Sequence, residues 1–283
     1  MGNERLFPIG GDLSVRRLGF GTGALVGPGY WGARHEDPQR AVAVLRQAVE
    51  RGVTLIDTAD NYGPDVAEEL VARALHPYPA GLVIATKGGV VRTGPDIWHI
   101  AGRPERLRAM CEASLRRLRV ETIDLYQLHR LDPEVPMAEQ LGALTELRQA
   151  GKIRHIGLDS VGVAELARAS ECAPIASVQN RYHLMDRESE DVLAWCAERG
   201  TAFLPWFPLG HGALTGAADA ALTGVARRHG ATTGQVALAW LLHRSPVLLP
   251  TPGTGSLDHL AENLDAGHLA LTAQDMAQLD AAG

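Results

Sequence analysis

The chain has 283 residues, 46% of them hydrophobic and 21% charged, the composition of a globular protein with a substantial core. Its formal net charge of -6 offers no basic footprint for nucleic acid. No apolar run approaches the length of about 18 residues that would span a membrane. The N-terminal run Met1-Gly2-Asn3-Glu4-Arg5-Leu6 carries no apolar signal region, and Leu6 fails the myristoylation pattern that Met1-Gly2 opens. Cys111, Cys172 and Cys196 are far apart and form no Cys-x-x-Cys, which suits reduced thiols in the cytoplasm and no metal site.

In chain order, short apolar strands alternate with amphipathic helices. Leu18-Gly19-Phe20-Gly21 reads as the first strand. Asp37-Pro38 opens a helix whose apolar face is Ala41, Val42, Leu45, Ala48 and Val49, and Gly52 ends it. Further strands fall at 54–56, 82–86, 123–128, 154–158, 177–180, 202–206 and 247–249. Further helices fall at 66–75, 103–118, 137–150, 163–169, 188–199, 232–242 and 257–264, with Thr272 capping a last one. Residues 94–100 read as a long loop. The alternation predicts an α/β fold, a (β/α)8 TIM barrel, as one domain over residues 1–283. Its strands are apolar on both sides, as buried parallel strands are. A doubly wound dinucleotide fold is disfavoured, because Gly19-Phe20-Gly21-Thr22-Gly23 opens no helix and lacks the third glycine of that fingerprint.

Such barrels carry their chemistry where the strands end. Asp57 and Tyr62 follow the second strand, Lys87 the third and His129 the fourth. Taken singly, Asp57 could cap a helix, Lys87 could form a Schiff base as in an aldolase barrel, and His129 or Tyr62 could be a packed core residue. Taken together they describe a site that receives and protonates an oxyanion. A free phenol, with a pKa of about 10, is a poor acid near neutrality, and an adjacent ammonium lowers that value. A carboxylate orients the ammonium, and a neutral imidazole polarises a carbonyl. The missing half of carbonyl reduction is a hydride, which implies a nicotinamide. The loop Gly253-Thr254-Gly255-Ser256 opens a helix and offers backbone N–H groups to a phosphate. Trp31, in the loop after the first strand, and Trp98, in the loop after the third, suggest a flat substrate wall. His211 reads either as a phosphate contact or as a solvent-facing residue.

The segments Leu55-Ile56-Asp57-Thr58-Ala59-Asp60-Asn61-Tyr62-Gly63, Ala85-Thr86-Lys87, Asp124-Leu125-Tyr126-Gln127-Leu128-His129, Gly151-Lys152-Ile153-Arg154-His155-Ile156-Gly157 and Pro252-Gly253-Thr254 resemble the aldo-keto reductase family. Within it the chain is similar to bacterial members that reduce pyridoxal and general aldehydes. The resemblance runs from about Leu18 to the C-terminus. It implies a (β/α)8 barrel binding NADPH, with NADH the alternative, and a small-molecule carbonyl substrate. It implies that Tyr62 is the general acid, Lys87 and Asp57 its tuning pair, and His129 the residue that orients the carbonyl. It assigns Gln179, Asp159 and Ser160 to the nicotinamide carboxamide and Trp206 to the nicotinamide face. It also assigns Gly21, Thr22, Phe207, Leu209, Gly253, Thr254, Ser256, His259, Glu262 and Asn263 to the cofactor. Asp159-Ser160 departs from the family's usual Ser-Asn and adds negative charge near the ring; Phe207 replaces a usual Ser. Neither Gly255 nor His259 supplies a fixed positive charge for a 2′-phosphate. The same resemblance admits a cofactor-binding regulatory barrel, or a specialist reductase acting on an imine or a natural-product ketone.

Overall fold

The computed structural model of the chain describes residues 6–35, 37–210 and 216–283. Its strands are β1 (Leu6–Ile9), β2 (Leu13–Arg16), β3 (Phe20–Gly21), β4 (Leu55–Asp57), β5 (Val83–Gly88), β6 (Val90–Gly94), β7 (Ile97–Ile100), β8 (Ile123–Leu128), β9 (Ile153–Asp159), β10 (Ile175–Arg181) and β11 (Ala202–Trp206). Its α-helices are α1 (Gln39–Glu50), α2 (Val66–Leu75), α3 (Pro104–Leu118), α4 (Met137–Gln149), α5 (Val163–Cys172), α6 (Glu190–Arg199), α7 (Ala217–His229), α8 (Thr233–Arg244), α9 (Leu257–Asp265) and α10 (Ala273–Asp280).

Seven parallel strands form one curled sheet in the order β11-β10-β9-β8-β5-β4-β3. The segment Val247–Pro250 closes it. Leu249 N–H donates to Phe203 O at 2.8 Å on the β11 side, and Gly19 N–H donates to Pro250 O at 3.0 Å on the β3 side. The chain is a (β/α)8 barrel whose eighth strand is reduced to a single parallel bridge, Phe203 to Leu248. That strand is short because Pro246 and Pro250 bracket it and cannot donate to a ladder.

Successive strand residues point to opposite sides of the sheet. Ile56, Ile84, Tyr126, Leu128, Val178, Phe203 and Leu248 face outward and pack under the helices. Leu55, Val83, Ala85, Leu125, Leu204 and Leu249 face inward and fill the barrel. The inward positions farther along β4, β5, β8 and β10 are Asp57, Lys87, Gln127 and Gln179. One period-2 pattern therefore stacks a polar layer directly on an apolar one. The β1–β2 hairpin plugs the other end, with Ile9, Leu13 and Val15 buried against the apolar layer.

Two hairpins and a helix go beyond the sequence reading. The β1–β2 hairpin pairs antiparallel across the Gly10-Gly11 turn, with inward residues too few to announce a strand pair. Residues 90–100 form the β6–β7 hairpin rather than a long loop. All four residues of β7 are exposed, so it has no apolar stripe that sequence could reveal. Helix α7 buries Ala218, Ala221, Leu222 and Val225, an alanine-rich face of low contrast. Ile9 is fully buried in the floor. Replacing it with Ala should therefore lower unfolding free energy by about 2–4 kcal/mol in urea titrations. A loss near zero would mean that the plug is not part of the core.

Candidate active site

Parallel register aligns Gly21 with Asp57, Asp57 with Ala85, Lys87 with Gln127 and Asp159 with Gln179. The polar layer thus closes on itself at the C-terminal end of the barrel. Lys87 Nζ donates to Asp57 Oδ2 at 2.7 Å, to Asp57 Oδ1 at 2.8 Å and to Thr58 O at 3.0 Å. Gln127 Nε2 donates to Asp57 Oδ1 at 3.1 Å and Gln179 Nε2 to Asp57 Oδ2 at 3.0 Å. Lys87 is fully buried and Asp57 nearly so. An ammonium has three donors, and all three of Lys87's are used. It therefore acts on Tyr62 through space, with Nζ 5.3 Å from the ring centroid.

This corrects the expected downward shift of the phenol. Burial, reinforced by the charges of Asp57 and Asp159, holds Tyr62 well above its ordinary value, although Arg130 and Arg92 oppose this. Lys87's charge is met by Asp57 instead. Tyr62 is accordingly a protonated phenol across the neutral range.

His129 stands edge-on to Tyr62, with ring centroids 6.2 Å apart. Burial first, then the cations Lys87, Arg130 and Arg92, push its imidazole well below its ordinary value, so it is neutral. Its tautomer follows from Asn61, a residue that the sequence reading passed over. Asn61 Nδ2 donates to Val90 O at 3.2 Å, which fixes the amide orientation. The same nitrogen lies 2.9 Å from His129 Nδ1, so Nδ1 accepts and the proton sits on Nε2. A neutral Nε2–H donor is what a carbonyl oxygen requires.

Asp159 does not stand as a bare charge. Arg130 pairs with it, Ser160 Oγ donates to it at 2.7 Å, and Arg130 also donates to His129 O at 2.5 Å. Burial nevertheless pushes its carboxyl up to about 6, with Arg130 pulling the other way.

A cavity of about 370 Å³ opens above the polar layer. Of the expected residues, Gly21, Asp57, Tyr62, Gln179, Trp206, Phe207, Leu209 and Gly253 line it; so do Tyr30 and Arg34, which sequence reasoning missed. Gly21 and Gly253 also meet a packing demand. A Cβ on Gly253 would lie 2.4 Å from Gly21 O, and one on Gly21 would lie 2.6 Å from Thr251 O. Thr22 is fully buried, with its hydroxyl 2.8 Å from Thr58 Oγ1 and 3.2 Å from Asp57 O. Thr254, Ser256, His259, Glu262 and Asn263 do not line this cavity. Ser256 caps α9, Thr254 Oγ1 accepts from Ser256 N–H, and Glu262 accepts from Thr232. Arg34 reaches that loop, its Cδ 3.7 Å from where a Cβ of Gly255 would sit. A position 34 that is distant in sequence gave no signal of this. Trp31 is exposed and joins no ring cluster among the described residues, whereas Tyr30 packs 5.2 Å from Tyr62 and 5.9 Å from Trp98. Trp98 is 5.9 Å from His129. His211 lies outside the described residues.

A family model described as the aldo/keto reductase family matches residues 17–283. An uncharacterised oxidoreductase of Schizosaccharomyces pombe, C215.11c, is 45% identical over 96% of this chain and 88% of its own length. Pyridoxine 4-dehydrogenase of Escherichia coli is 39% identical over 95% of this chain and 96% of its own length. An aldo-keto reductase of Klebsiella pneumoniae solved with NADPH is 29% identical, with a TM-score of 0.82, covering 98% of this chain and 94% of that one.

Two predictions follow from the electrostatics. The folded-state value of Asp159 is the raised one, so its neutral form favours folding; that contribution is complete below about pH 4 and is lost as pH rises through about 6. The stability of Asp159→Asn relative to wild type should rise by about 2–3 kcal/mol between pH 4 and pH 7. Urea unfolding at several pH values measures it, and a flat difference would refute the assignment. Asn61→Asp, whose ionised side chain can only accept, should move the His129 proton to Nδ1. Imidazole ¹⁵N shifts should report Nε2–H in wild type and Nδ1–H in the variant; Nδ1–H already in wild type would refute the tautomer argument.

Proposed function

The chain belongs to the aldo/keto reductase family, and from that premise we propose that it reduces an aldehyde or ketone to the alcohol with NADPH. The observation that carries this reading is a protonated Tyr62 phenol facing a neutral, Nε2-protonated His129 above the Asp57–Lys87 pair. Both groups are donors, and a carbonyl oxygen held between them would be stabilised as it gains negative charge.

The residues suit the cofactor. A nicotinamide needs a flat apolar partner and an amide-bonding group, and the cavity is lined by Trp206 and Gln179. Pyrophosphate or a 2′-phosphate needs a cation, and Arg34 stands beside Gly255. The Klebsiella relative was solved with NADPH, which supports the same choice here. Bound NADPH supplies the hydride that no side chain can give.

The side chains do the rest. His129 Nε2–H donates to the carbonyl oxygen and orients it. Tyr62 then gives its phenolic proton to that oxygen as it becomes an alkoxide. The raised value of the phenol does not forbid this, because an alkoxide is a far stronger base than a phenolate. The tyrosinate left behind is stabilised by the Lys87 charge 5.3 Å from the ring centroid, and it regains a proton from water. Asp57, held by Gln127 and Gln179, keeps Lys87 under the ring.

The Tyr30 and Trp98 rings support a flat, aromatic or heteroaromatic aldehyde as substrate. The aldehyde of pyridoxine, the alcohol in the E. coli relative's name, therefore belongs in the assay panel. The test is a fluorescence titration with NADPH and NADH, followed by an aldehyde panel read at the reduced-nicotinamide absorbance. Wild type should turn over, and Tyr62→Phe should lose about 10²-fold or more in kcat while still binding NADPH. Tight NADPH binding with no turnover on any carbonyl would overturn the reductase reading.

A further inference from the structure

Arg92, on β6, is only 7% exposed. Its Nη1 donates to Gly29 O at 2.5 Å. Its Nε and Nη2 are buried as well and have no hydrogen-bond partner. No carboxylate pairs with it among the described residues. The guanidinium lies against the Trp98 ring, Cζ 3.2 Å from the centroid, with the Tyr30 ring 5.1 Å away. Burial lowers its pKa, Asp96 and the two tyrosines oppose this, and a guanidinium stays charged throughout. A buried, half-bonded cation is costly unless something completes it.

Arg92 apart, the charged groups around Tyr62 and His129 are paired. Lys87 is matched by Asp57 and Arg130 by Asp159. His129 and Tyr62 are neutral. Arg92 has no ion pair among the described residues, only the nearby Asp96 charge, and it is felt at both: it pulls the His129 and Tyr62 values down. It is one ring removed from the reacting groups, since Trp98 packs on Arg92 and on His129 alike.

The unpaired edge also has a shape. Nε–H and an Nη2–H of a guanidinium are parallel and coplanar, the spacing that two oxygens of a carboxylate accept together. One unmatched charge suits a monoanion, and the flat rings of Tyr30 and Trp98 suit a planar spacer. We propose that Arg92 anchors the substrate: through that edge it takes a carboxylate that the aldehyde or ketone carries on a flat spacer. The proposal rests on the reductase reading and names the substrate class of that same site. Trp98, stacked on the guanidinium face, is 41% exposed on a strand whose residues are all exposed, so that wall is free to adjust to the spacer. Gly29 permits the arrangement: a Cβ there would lie 2.8 Å from Asp96 Oδ2 at the hairpin tip, so any larger residue would push the tip from the Arg92 acceptor.

The test compares 4-carboxybenzaldehyde, its neutral methyl ester and 4-formylbenzenesulfonate, a non-planar monoanion, on the NADPH-loaded protein. The carboxylate should exceed the ester in kcat/KM by about 10- to 100-fold, mostly through KM, the range for a charged hydrogen-bonded pair. Arg92→Gln should bring that ratio close to one, and Arg92→Lys, which keeps the charge but loses the fork, should fall between. A wild-type ratio near one, or a ratio unchanged in Arg92→Gln, would overturn the anchor; a sulfonate equal to the carboxylate would overturn the choice of a planar anion. A second readout does not depend on turnover. Terephthalate, which cannot be reduced, should quench tryptophan fluorescence of the wild-type complex and not of Arg92→Gln. Equal binding to both would overturn the anchor even if no aldehyde reacts. Loss of turnover with terephthalate selectivity intact would instead reject the reductase reading alone.

Discussion

The Asp57 carboxylate gathers three strands. It takes Lys87 from β5, Gln127 from β8 and Gln179 from β10, each through a bond of 3.1 Å or less. A buried carboxylate is tolerated only when its oxygens are bonded. Every partner that satisfies it also fixes the reach of a neighbouring strand end. The geometry above it, with Tyr62 on the following loop and His129 one residue beyond β8, inherits that precision. Polar side chains drawn from separate strands need such a common acceptor to converge, because parallel pairing alone sets strand spacing and not side-chain aim.

The pleat explains why the polar layer is possible at all. Thr86 and Lys87 are consecutive and point to opposite sides of β5. Lys87 goes inward to Asp57. Thr86 goes outward, where its hydroxyl donates to Glu68 Oε1 at 2.6 Å; Glu68 Oε2 in turn accepts from Arg117 at 2.6 Å. Glu68 is fully buried, so α2, β5 and α3 are tied by a charged pair sheltered from water. Asp60 sits beside this network, and burial together with the Glu68 charge raises its carboxyl well above the usual range. Desolvation thus acts on both sides of β5: it raises Asp60 well above the usual range, and it raises Asp159 to about 6 even with Arg130 beside it.

The site also shows what the sequence could and could not announce. Asp57, Lys87 and His129 were legible because each directly follows or ends an apolar run, and the barrel pattern says what a strand end is for. Gln127 and Asn61 were not, since each sits within a matching motif and looks like filler until its amide is seen on Asp57 or His129. Arg130 is equally silent in sequence, yet it changes the meaning of Asp159 from a bare negative charge near the nicotinamide position to half of an ion pair. The direction of the Tyr62 shift failed for a related reason. Proximity of an ammonium was inferred correctly, but its three donors were already committed, and burial outweighed what remained.

Outside the strands the sequence lost its period, and with it the substrate side of the site. The β6–β7 hairpin is built from backbone pairing, ring packing and one guanidinium, none of which has a hydropathy signature. Hairpin and loop meet where Arg92 donates to Gly29 O and Asp96 N–H donates to the same oxygen at 3.2 Å. Two loops that share an acceptor move together, so the Tyr30 wall and the Trp98 wall are mechanically one unit. The Asp57–Lys87 layer, by contrast, is anchored to the barrel. The two are coupled through charge rather than through contact with Asp57: among the described residues no hydrogen bond from Arg92 reaches the Asp57 carboxylate, yet its charge lowers the values of both Tyr62 and His129.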